Sequence, residues 1–539
     1  MPVLIRVFRR AFLALFLSLS LVGGAAGAAL PQLPGSFPLL ESRPAPDWAL
    51  LTTLYESSVP PYLWHSAEGV ADQALIDSLL RAVDLAVGQG LPAARYHDRR
   101  LVNEEDVARR DLLLSDALLR LIDDMGRGRT DAALQQRLWH LPRPAIDPVA
   151  LARHALAERD PVGVVTALAP GSEGYRSLVD LYRRYRLIDR QPALPPLPTT
   201  LVLKPGEQSD TVPLLRRHLL RLGDAEPDPL AMETAPDLYD QTLVEALQRF
   251  QLRHGLEPDG VLGPRTLAEL NRPLAERVEQ IRVNLERWRW MPRELGERYI
   301  LVSPAGYFLQ MVEGGQVVFY TRTITGRPRR PTPSFRSDLY QLTINPDWTV
   351  PRRIMREDLL PKIREDIGWL AQNRVRVQRY DEGRWLNVAA EQVDWSAPGN
   401  IRLIQAPGPD NALGRMKFGM NNPFSIYLHD TPSQSLFDKP LRPFSSGCVR
   451  VEGIETLVQR LLVDMPTMQS WLAEALSQQE TRIRHLPEPV PVFLVYLSTW
   501  IDDRGQAQFR PDIYGLDGQI QTRLQRYALV TESDIAVNN

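Results

Sequence analysis

"SIYLHDTPSQSLFDKPLRPFSSGCVRV", residues 425–451, carries the one cysteine of a 539-residue chain. Cys448 follows the small run Ser445-Ser446-Gly447, and His429 lies upstream at the end of the strand-like "SIYLH". A nucleophilic thiol needs a base, a group that orients the base, and hydrogen-bond donors for a developing oxyanion. Gly447 permits a tight turn and a close approach of backbone to substrate. The N–H groups around Gly447 and Cys448 are candidate oxyanion donors. His429 is the only histidine between residues 300 and 480. A thiol–imidazole pair within this region is therefore Cys448 with His429. The competing reading of a single cysteine is a small, inert core hydrophobe.

Around this stretch the chain reads as strands. "RYILVSP", "YFLQMVEG", "QVVFYTRTITG" and "DLYQLTINP" run apolar or alternate between Gly and Pro breaks. "PRRIMREDLLPKIREDIGWLAQN" is helical in pattern, and the region closes with two strand-like runs around "DDRGQ". Upstream the pattern is helical. In "ALIDSLLRAVDLAVGQG" Ile76, Leu80, Val83 and Val87 recur at helical spacing. "DLLLSDALLRLIDDMGRG" repeats this with a stop expected at Gly126, and "GYRSLVDLYRRYRLI" is a third segment. Trp64, Tyr96 and Trp139 read as core aromatics. The fold class expected is multidomain α+β. It comprises a helical scaffold domain at 35–200, a three-helix module at 205–272, and a mainly β domain at 298–520 with an inserted helical lid at about 352–421.

Residues 1–28 have a basic start at Arg6, Arg9 and Arg10, an apolar run, and the small residues "GGAAGAA". That order predicts an export signal with an A-x-A site at Ala26-Gly27-Ala28. Left uncleaved, the same segment would be a membrane anchor. Either way the rest of the chain is expected to be exported. A lone cysteine there forms no internal disulfide. A net charge of −2 gives no footing for nucleic acid or an anionic membrane. No H-E-x-x-H, no thiolate cluster and no glycine-rich phosphate loop occurs, so no metal and no cofactor is expected.

"FQLRHGLEPDGVLGPRT", residues 250–266, resembles the peptidoglycan-binding-like module written FQxxxGLxxDGxxGxxT. Phe250, Gln251, Gly255, Leu256, Asp259, Gly260, Gly263 and Thr266 fit it. Many of these residues shape turns and core, so the module reads equally as a binder or a spacer. The 425–451 stretch resembles the active-site stretch of the L,D-transpeptidases, the YkuD-type catalytic domain, and in particular their large periplasmic YcbB-like members. That family has a histidine, a short spacer, then Ser/Thr-His-Gly-Cys, an apolar residue and Arg. His429, Ser445, Gly447, Cys448, Val449 and Arg450 fit; Ser446 departs, where many members carry histidine. "NLERWRWMP", "ITGRPRRPTP", "INPDWTVP" and "QAPGPDNALGRMKF" agree as well.

The resemblance implies a mechanism and a location. Cys448 attacks the carbonyl of the third stem residue of a tetrapeptide donor, D-Ala leaves, and a diamino-acid side-chain amine on a neighbouring stem resolves the thioester into a 3→3 cross-link. His429 is the base, oriented by the backbone carbonyl of Asp430. The Asp430 side chain reads as a turn residue. Gly447 supplies oxyanion backbone. Tyr427, Ser445, Ser446 and Arg450 are expected at the substrate. Tyr427 either lines the acyl pocket or packs, and Arg450 either holds a stem carboxylate or braces the loop. Trp369 and Trp385 in the insertion either contact substrate or pack. The expected location is periplasmic. The expected partners are peptidoglycan stem peptides, with other wall-synthesis enzymes open and a membrane only if the export segment stays. L,D-carboxypeptidase, wall-protein attachment or release, and a catalytically silent wall-binding scaffold remain as alternatives.

Overall fold

The structure, a computed structural model, describes residues 47–56, 62–130, 134, 139–227 and 235–525. The expected export segment lies outside the described residues.

The helical region is built from Trp48–Tyr55, Gln73–Val87, Val107–Arg127, Pro148–Ala157, Pro161–Leu168 and Glu173–Asp189. Asp72, Asp106, Asp147, Asp160 and Ser172 cap their helices, each side chain accepting a backbone N–H of the first turn. The buried stripe of Gln73–Val87 runs through Leu75, Ile76, Leu79, Val83 and Ala86. Leu80 and Val87 sit at its margin, packed against the core but only partly buried. The Val107–Arg127 helix runs through the expected stop at Gly126 and ends at Gly128, whose φ of +80° suits glycine and whose N–H donates to the Asp124 carbonyl. Gly126 answers a packing need instead. A Cβ there would meet Ile146 Cδ1 at 2.5 Å. Trp64, Tyr96 and Trp139 are all buried in cores, as their reading expects.

Helices Val212–Leu222, Gln241–Arg253 and Pro264–Leu270 form the second unit. Its motif residues turn inward. Gln251 Nε2 donates to Asp259 Oδ1 (2.9 Å) and Thr266 Oγ1 (3.2 Å), and Gln251 Oε1 accepts from the Gly260 N–H (2.9 Å). These residues shape the module. The next helix, Leu274–Trp290, is buried almost all round and joins the three regions. Its Glu286, fully buried, accepts from the Arg129 N–H (2.5 Å), the Thr130 N–H (2.9 Å) and Trp290 Nε1 (3.0 Å).

The β region closes on itself. Its strands are β1 (Trp139–His140), β2 (Arg298–Ser303), β3 (Phe308–Glu313), β4 (Gln316–Ile324), β5 (Ser334–Ile344), β10 (Met416–Met420), β11 (Leu428–His429), β12 (Val449–Val451) and β13 (Arg482–Leu494). The order is β1-β5-β10-β11-β12-β4-β3-β2-β13, and β13 pairs back to β5. A barrel-like sheet results, with no free edge except where β1 joins β5 in parallel at Trp139–Ser334 and His140–Phe335. β13 starts at Arg482, well before its apolar run, and its register breaks between His485 and Val490 around Pro487 and Pro489. Proline within a run argues against a strand, and the irregularity accommodates it.

The insertion is α-helical at its start, in Arg352–Ile354, a π turn at Met355–Leu359, Leu360–Glu365 and Trp369–Gln372, with one later 3-10 turn at Ala390–Gln392. It then folds β7 (Val375–Asp381), β8 (Arg384–Val388) and β9 (Ile401–Gln405) onto β6 (Trp348–Thr349). The order is β6-β9-β7-β8 over its own apolar core. Trp369 packs against that core, and Trp385 lies between Tyr380 (5.2 Å) and the Arg402 guanidinium (4.5 Å). Both indoles serve packing of the insertion.

Candidate active site

Strands β10, β11 and β12 build the site by simple alternation. Phe418 opposes Leu428, and Leu428 opposes Val449 across the parallel β11–β12 pair. All three are fully buried in the barrel core. Successive side chains take opposite faces. Lys417, His429 and Arg450, paired across the same strands, therefore emerge together on the other face. Tyr427 and Cys448, each one residue before an inward side chain, join them there. The structure thus sets His429 on β11 and Cys448 one residue before its neighbour β12, with the thiol's nearest polar contact the Ser425 carbonyl.

His429 is nevertheless only 4% exposed. The loop before β10 covers it. Its Arg415 N–H donates to Asp430 Oδ2 at 2.9 Å. Gly414 makes that closure possible. Its φ is +62°, and a Cβ there would fall 2.4 Å from the Asp430 carboxylate. The Asp430 carboxylate anchors the loop and its backbone carbonyl meets His429 Nδ1 at 2.5 Å. A carbonyl only accepts, so Nδ1 carries the proton. Burial, with the nearby Arg450 and Lys417 charges, depresses the ring's pKa to about 3. The neutral ring has one proton, already placed on Nδ1, so Nε2 keeps a lone pair and is a base.

Cys448 is half-buried, and its Sγ lies 3.7 Å from the Ser425 carbonyl oxygen. Burial pushes the thiol above its ordinary pKa, against the opposing pull of the Tyr427 backbone, Lys417 and Arg450. The resting pair is therefore thiol and neutral imidazole. Ser425 holds a left-handed φ of +54° without being glycine, a strained conformation at the thiol's contact.

The loop before Cys448 is braced from inside. Gly447 has φ +119°, and its N–H donates to Ser445 Oγ at 3.1 Å. Ser445 Oγ donates in turn to the Cys448 carbonyl at 2.5 Å. The expected oxyanion donor Gly447 and the expected substrate contact Ser445 thus spend their polar groups on each other. Among the described residues the N–H groups of Ser446 and Cys448 have no acceptor. They are the loop's open backbone donors. Thr332 braces from behind, accepting from the Gly326 N–H (2.9 Å) and donating to the Gly447 carbonyl (2.7 Å). Ser446 Oγ accepts from Arg330 Nη1 (2.7 Å) and Arg327 Nη2 (3.2 Å).

Arg450 makes no hydrogen bond or ion pair among the described residues, and its buried Nε is unpartnered. Bracing of the loop by Arg450 has no bond behind it. Lys417 likewise has no carboxylate partner among the described residues, and its Nζ sits 4.0 Å from the Tyr427 ring centre. Two uncompensated cations thus flank the thiol. The sequence reading missed Lys417, Thr332, Arg327 and Arg330 as site residues. Their signal lay in "GRMKF" and "ITGRPRRPTP", polar groups interrupting strand-like runs. No group of three metal-ligating side chains occurs among the described residues.

Three family models match the chain. Residues 49–181 match a scaffold domain, 208–270 match a "Putative peptidoglycan binding domain", and 297–468 match the L,D-transpeptidase catalytic domain of the YkuD family. A curated protein of Haemophilus influenzae named "Putative L,D-transpeptidase" is 35% identical over 246 residues, covering 45% of this chain and 49% of that protein. The chain thus spans about half the length of the curated relative it matches. An L,D-transpeptidase from Mycobacterium smegmatis is 14% identical, with 36% of this chain and 58% of that one covered at a TM-score of 0.19. One from Stackebrandtia nassauensis is 15% identical, with 55% and 96% covered at 0.21. Structural likeness at that level adds no weight. The catalytic-domain match encloses His429 and Cys448, the other two domains precede it in order, and residues 297–468 thus carry an L,D-transpeptidase catalytic domain.

Proposed function

We propose that this chain is a peptidoglycan L,D-transpeptidase that works through a Cys448 acyl-enzyme. The observation that supports the reading is the pairing of β11 with β12, which carries His429 and, one residue before β12, Cys448 to one barrel face, with the ring proton held on Nδ1 so that Nε2 is the base. The thiol proton passes to His429 Nε2 as Sγ attacks the carbonyl of the third stem residue. The Cys448 N–H and the Ser446 N–H face the oxyanion. His429 returns the proton to the departing D-Ala nitrogen, leaving a thioester. A diamino-acid side-chain amine on a second stem then attacks, gives a proton to His429, and expels the thiolate. A 3→3 cross-link forms and Cys448 is restored. Lys417 and Arg450 favour a stem that presents a carboxylate. Such a substrate places the chain outside the cytoplasm, as its N-terminal segment predicts.

The test mixes the chain from about residue 31 with disaccharide-tetrapeptide and follows products and intact protein by mass spectrometry. Dimers lacking one D-Ala, with a protein adduct that vanishes in Cys448→Ala, are expected. Folded protein that gives neither adduct nor turnover would overturn the reading. Tripeptide monomers with the same adduct would replace transfer by hydrolysis.

A further inference from the structure

Arg330 lies outside every catalytic role assigned above, yet its guanidinium joins two parts of the molecule. It donates through Nη1 to Asp358 Oδ2 (2.5 Å) and through Nη2 to Asp358 Oδ1 (2.9 Å) and Glu357 Oε2 (2.6 Å). Both carboxylates belong to the π turn of the insertion. π turns of this kind concentrate at functional sites. Arg330 Nη1 also donates to Ser446 Oγ at 2.7 Å, two residues before the nucleophile. The side chain is 6% exposed, whereas those of Asp358 and Glu357 are 30% and 48% exposed. A planar guanidinium with five fixed donors is suited to holding three partners in one geometry.

We infer that Arg330 is a positioning residue that ties the insertion to the nucleophile loop, so that docking of Glu357 and Asp358 fixes Ser446 and with it the open N–H groups beside Cys448. The same tie explains the serine at 446. A short hydroxyl leaves room for the guanidinium to reach both the loop and the insertion, where an imidazole would fill that space. With the insertion docked, a thioester on Cys448 is shielded from water and awaits an amine. Released, the insertion exposes it to hydrolysis. This consequence rests on the proposed transpeptidase reading; the tie itself does not.

The experiment uses the full chain with Arg330→Lys, Arg330→Gln and the double variant Glu357→Gln/Asp358→Asn. The double variant leaves the buried arginine and its bond to Ser446 in place, and so guards against a failure to fold. Two quantities are read. The first is the rate of Cys448 alkylation by iodoacetamide, which needs no turnover. The second is the ratio of cross-linked dimer to hydrolysed tripeptide. In the double variant alkylation is expected to rise at least about tenfold, because three hydrogen bonds from Arg330 lose their charged acceptors. The dimer-to-tripeptide ratio falls in parallel. Arg330→Lys, which keeps charge but not the fork, recovers only part of both. Unchanged alkylation and an unchanged product ratio in the folded double variant would overturn the inference. So would a uniform loss of turnover with the ratio intact, which marks a purely structural arginine. Faster alkylation in a protein with no turnover on any stem peptide would uphold the tie and sink the transpeptidase reading instead.

Discussion

The ammonium of Lys417 lies 4.0 Å from the centre of the Tyr427 ring, on the barrel face that also bears Cys448 and His429. A cation held over an aromatic face is fixed in place without being neutralised. Its field then acts on the thiol, and Lys417 is one of the groups that lower the Cys448 pKa. Lys417→Met is expected to raise that pKa further and to slow iodoacetamide alkylation severalfold at about pH 7.5, because less of the thiol is ionised. Tyr427→Phe keeps the ring and should leave the rate within about twofold. An unchanged rate in the methionine variant would show that the ammonium is screened from the sulfur.

The protonation states set a distinctive pH profile. Burial holds the Cys448 thiol above its ordinary value, and His429 titrates only near pH 3. An ion pair between thiolate and imidazolium would give alkylation a plateau across neutral pH. Here the rate should climb steadily with pH through 9, with no neutral plateau. A plateau between pH 5 and 8 would contradict the assignment of neutral partners.

His429 also makes stability depend on pH, and the sign follows from its buried, neutral ring. Unfolded, it takes up a proton below an ordinary value of 6.5; folded, it does so only near pH 3. Between those limits the unfolded chain binds more protons, so stability rises with pH and its His429 part is complete above pH 6.5. Each unit of pH within the window is worth up to about 1.4 kcal/mol. His429→Gln should therefore lose stability less steeply than the parent between pH 6.5 and 4.5, by about 2.5 kcal/mol over the interval in urea melts of the full chain. Parallel slopes would mean that the ring takes up its proton in the folded state.

Thr332 connects two backbone segments through one hydroxyl. Thr332→Val keeps the shape and strands both the Gly326 N–H and the Gly447 carbonyl. A stability loss of about 1–3 kcal/mol is expected for such orphaned groups. Acylation of Cys448 should slow at least about tenfold, because the loop carrying the open N–H groups loses its rear support. A variant that loses stability yet acylates at the parental rate would show that the loop holds its shape unaided.

Glu286 sits with its carboxylate fully buried among backbone and indole N–H groups at the meeting point of the helical region and the central helix. Glu286→Ala removes the acceptor and leaves several buried donors unmatched. Removing one side of a buried charged cluster costs about 3–5 kcal/mol. The melting midpoint should fall by several degrees in calorimetry, and by far more than in Glu173→Ala on an exposed helix turn. Similar midpoints for the two would refute the central place given to this carboxylate.

The elements most legible in the sequence were those with an uninterrupted period. β2 to β4 and the helices of the 205–272 module lie close to their patterns because local alternation and turn chemistry agree there. Cys448 and His429 were legible as candidates because residues 300–480 hold no other thiol or imidazole. Three features escaped for physical reasons. β13 hides Pro487 and Pro489, which its register break accommodates. Gly126 looked like a helix stop because a close approach by Ile146, distant in pattern, leaves no mark on the local sequence. Lys417, Thr332 and Arg330 gain their meaning from partners on other elements, and no spacing rule announces such contacts. The polar roles within the loop were also invisible, since Ser445 and Gly447 satisfy one another only once the turn has closed.

The strand contributed by Trp139 and His140 has a consequence for anyone wishing to dissect this molecule. Its ladder with Ser334 and Phe335 continues through rings, His140 against Phe424 at 4.8 Å and Phe424 against Phe335 at 5.2 Å. Phe424 immediately precedes the Ser425 whose carbonyl meets the thiol. A fragment cut to begin at Arg298 would thus lose the ring packed on Phe424 and bare the start of β5 to self-association. The helical half is in this sense a prosthesis for the barrel. Inhibitor screens on the excised barrel would lack the support that His140 gives Phe424.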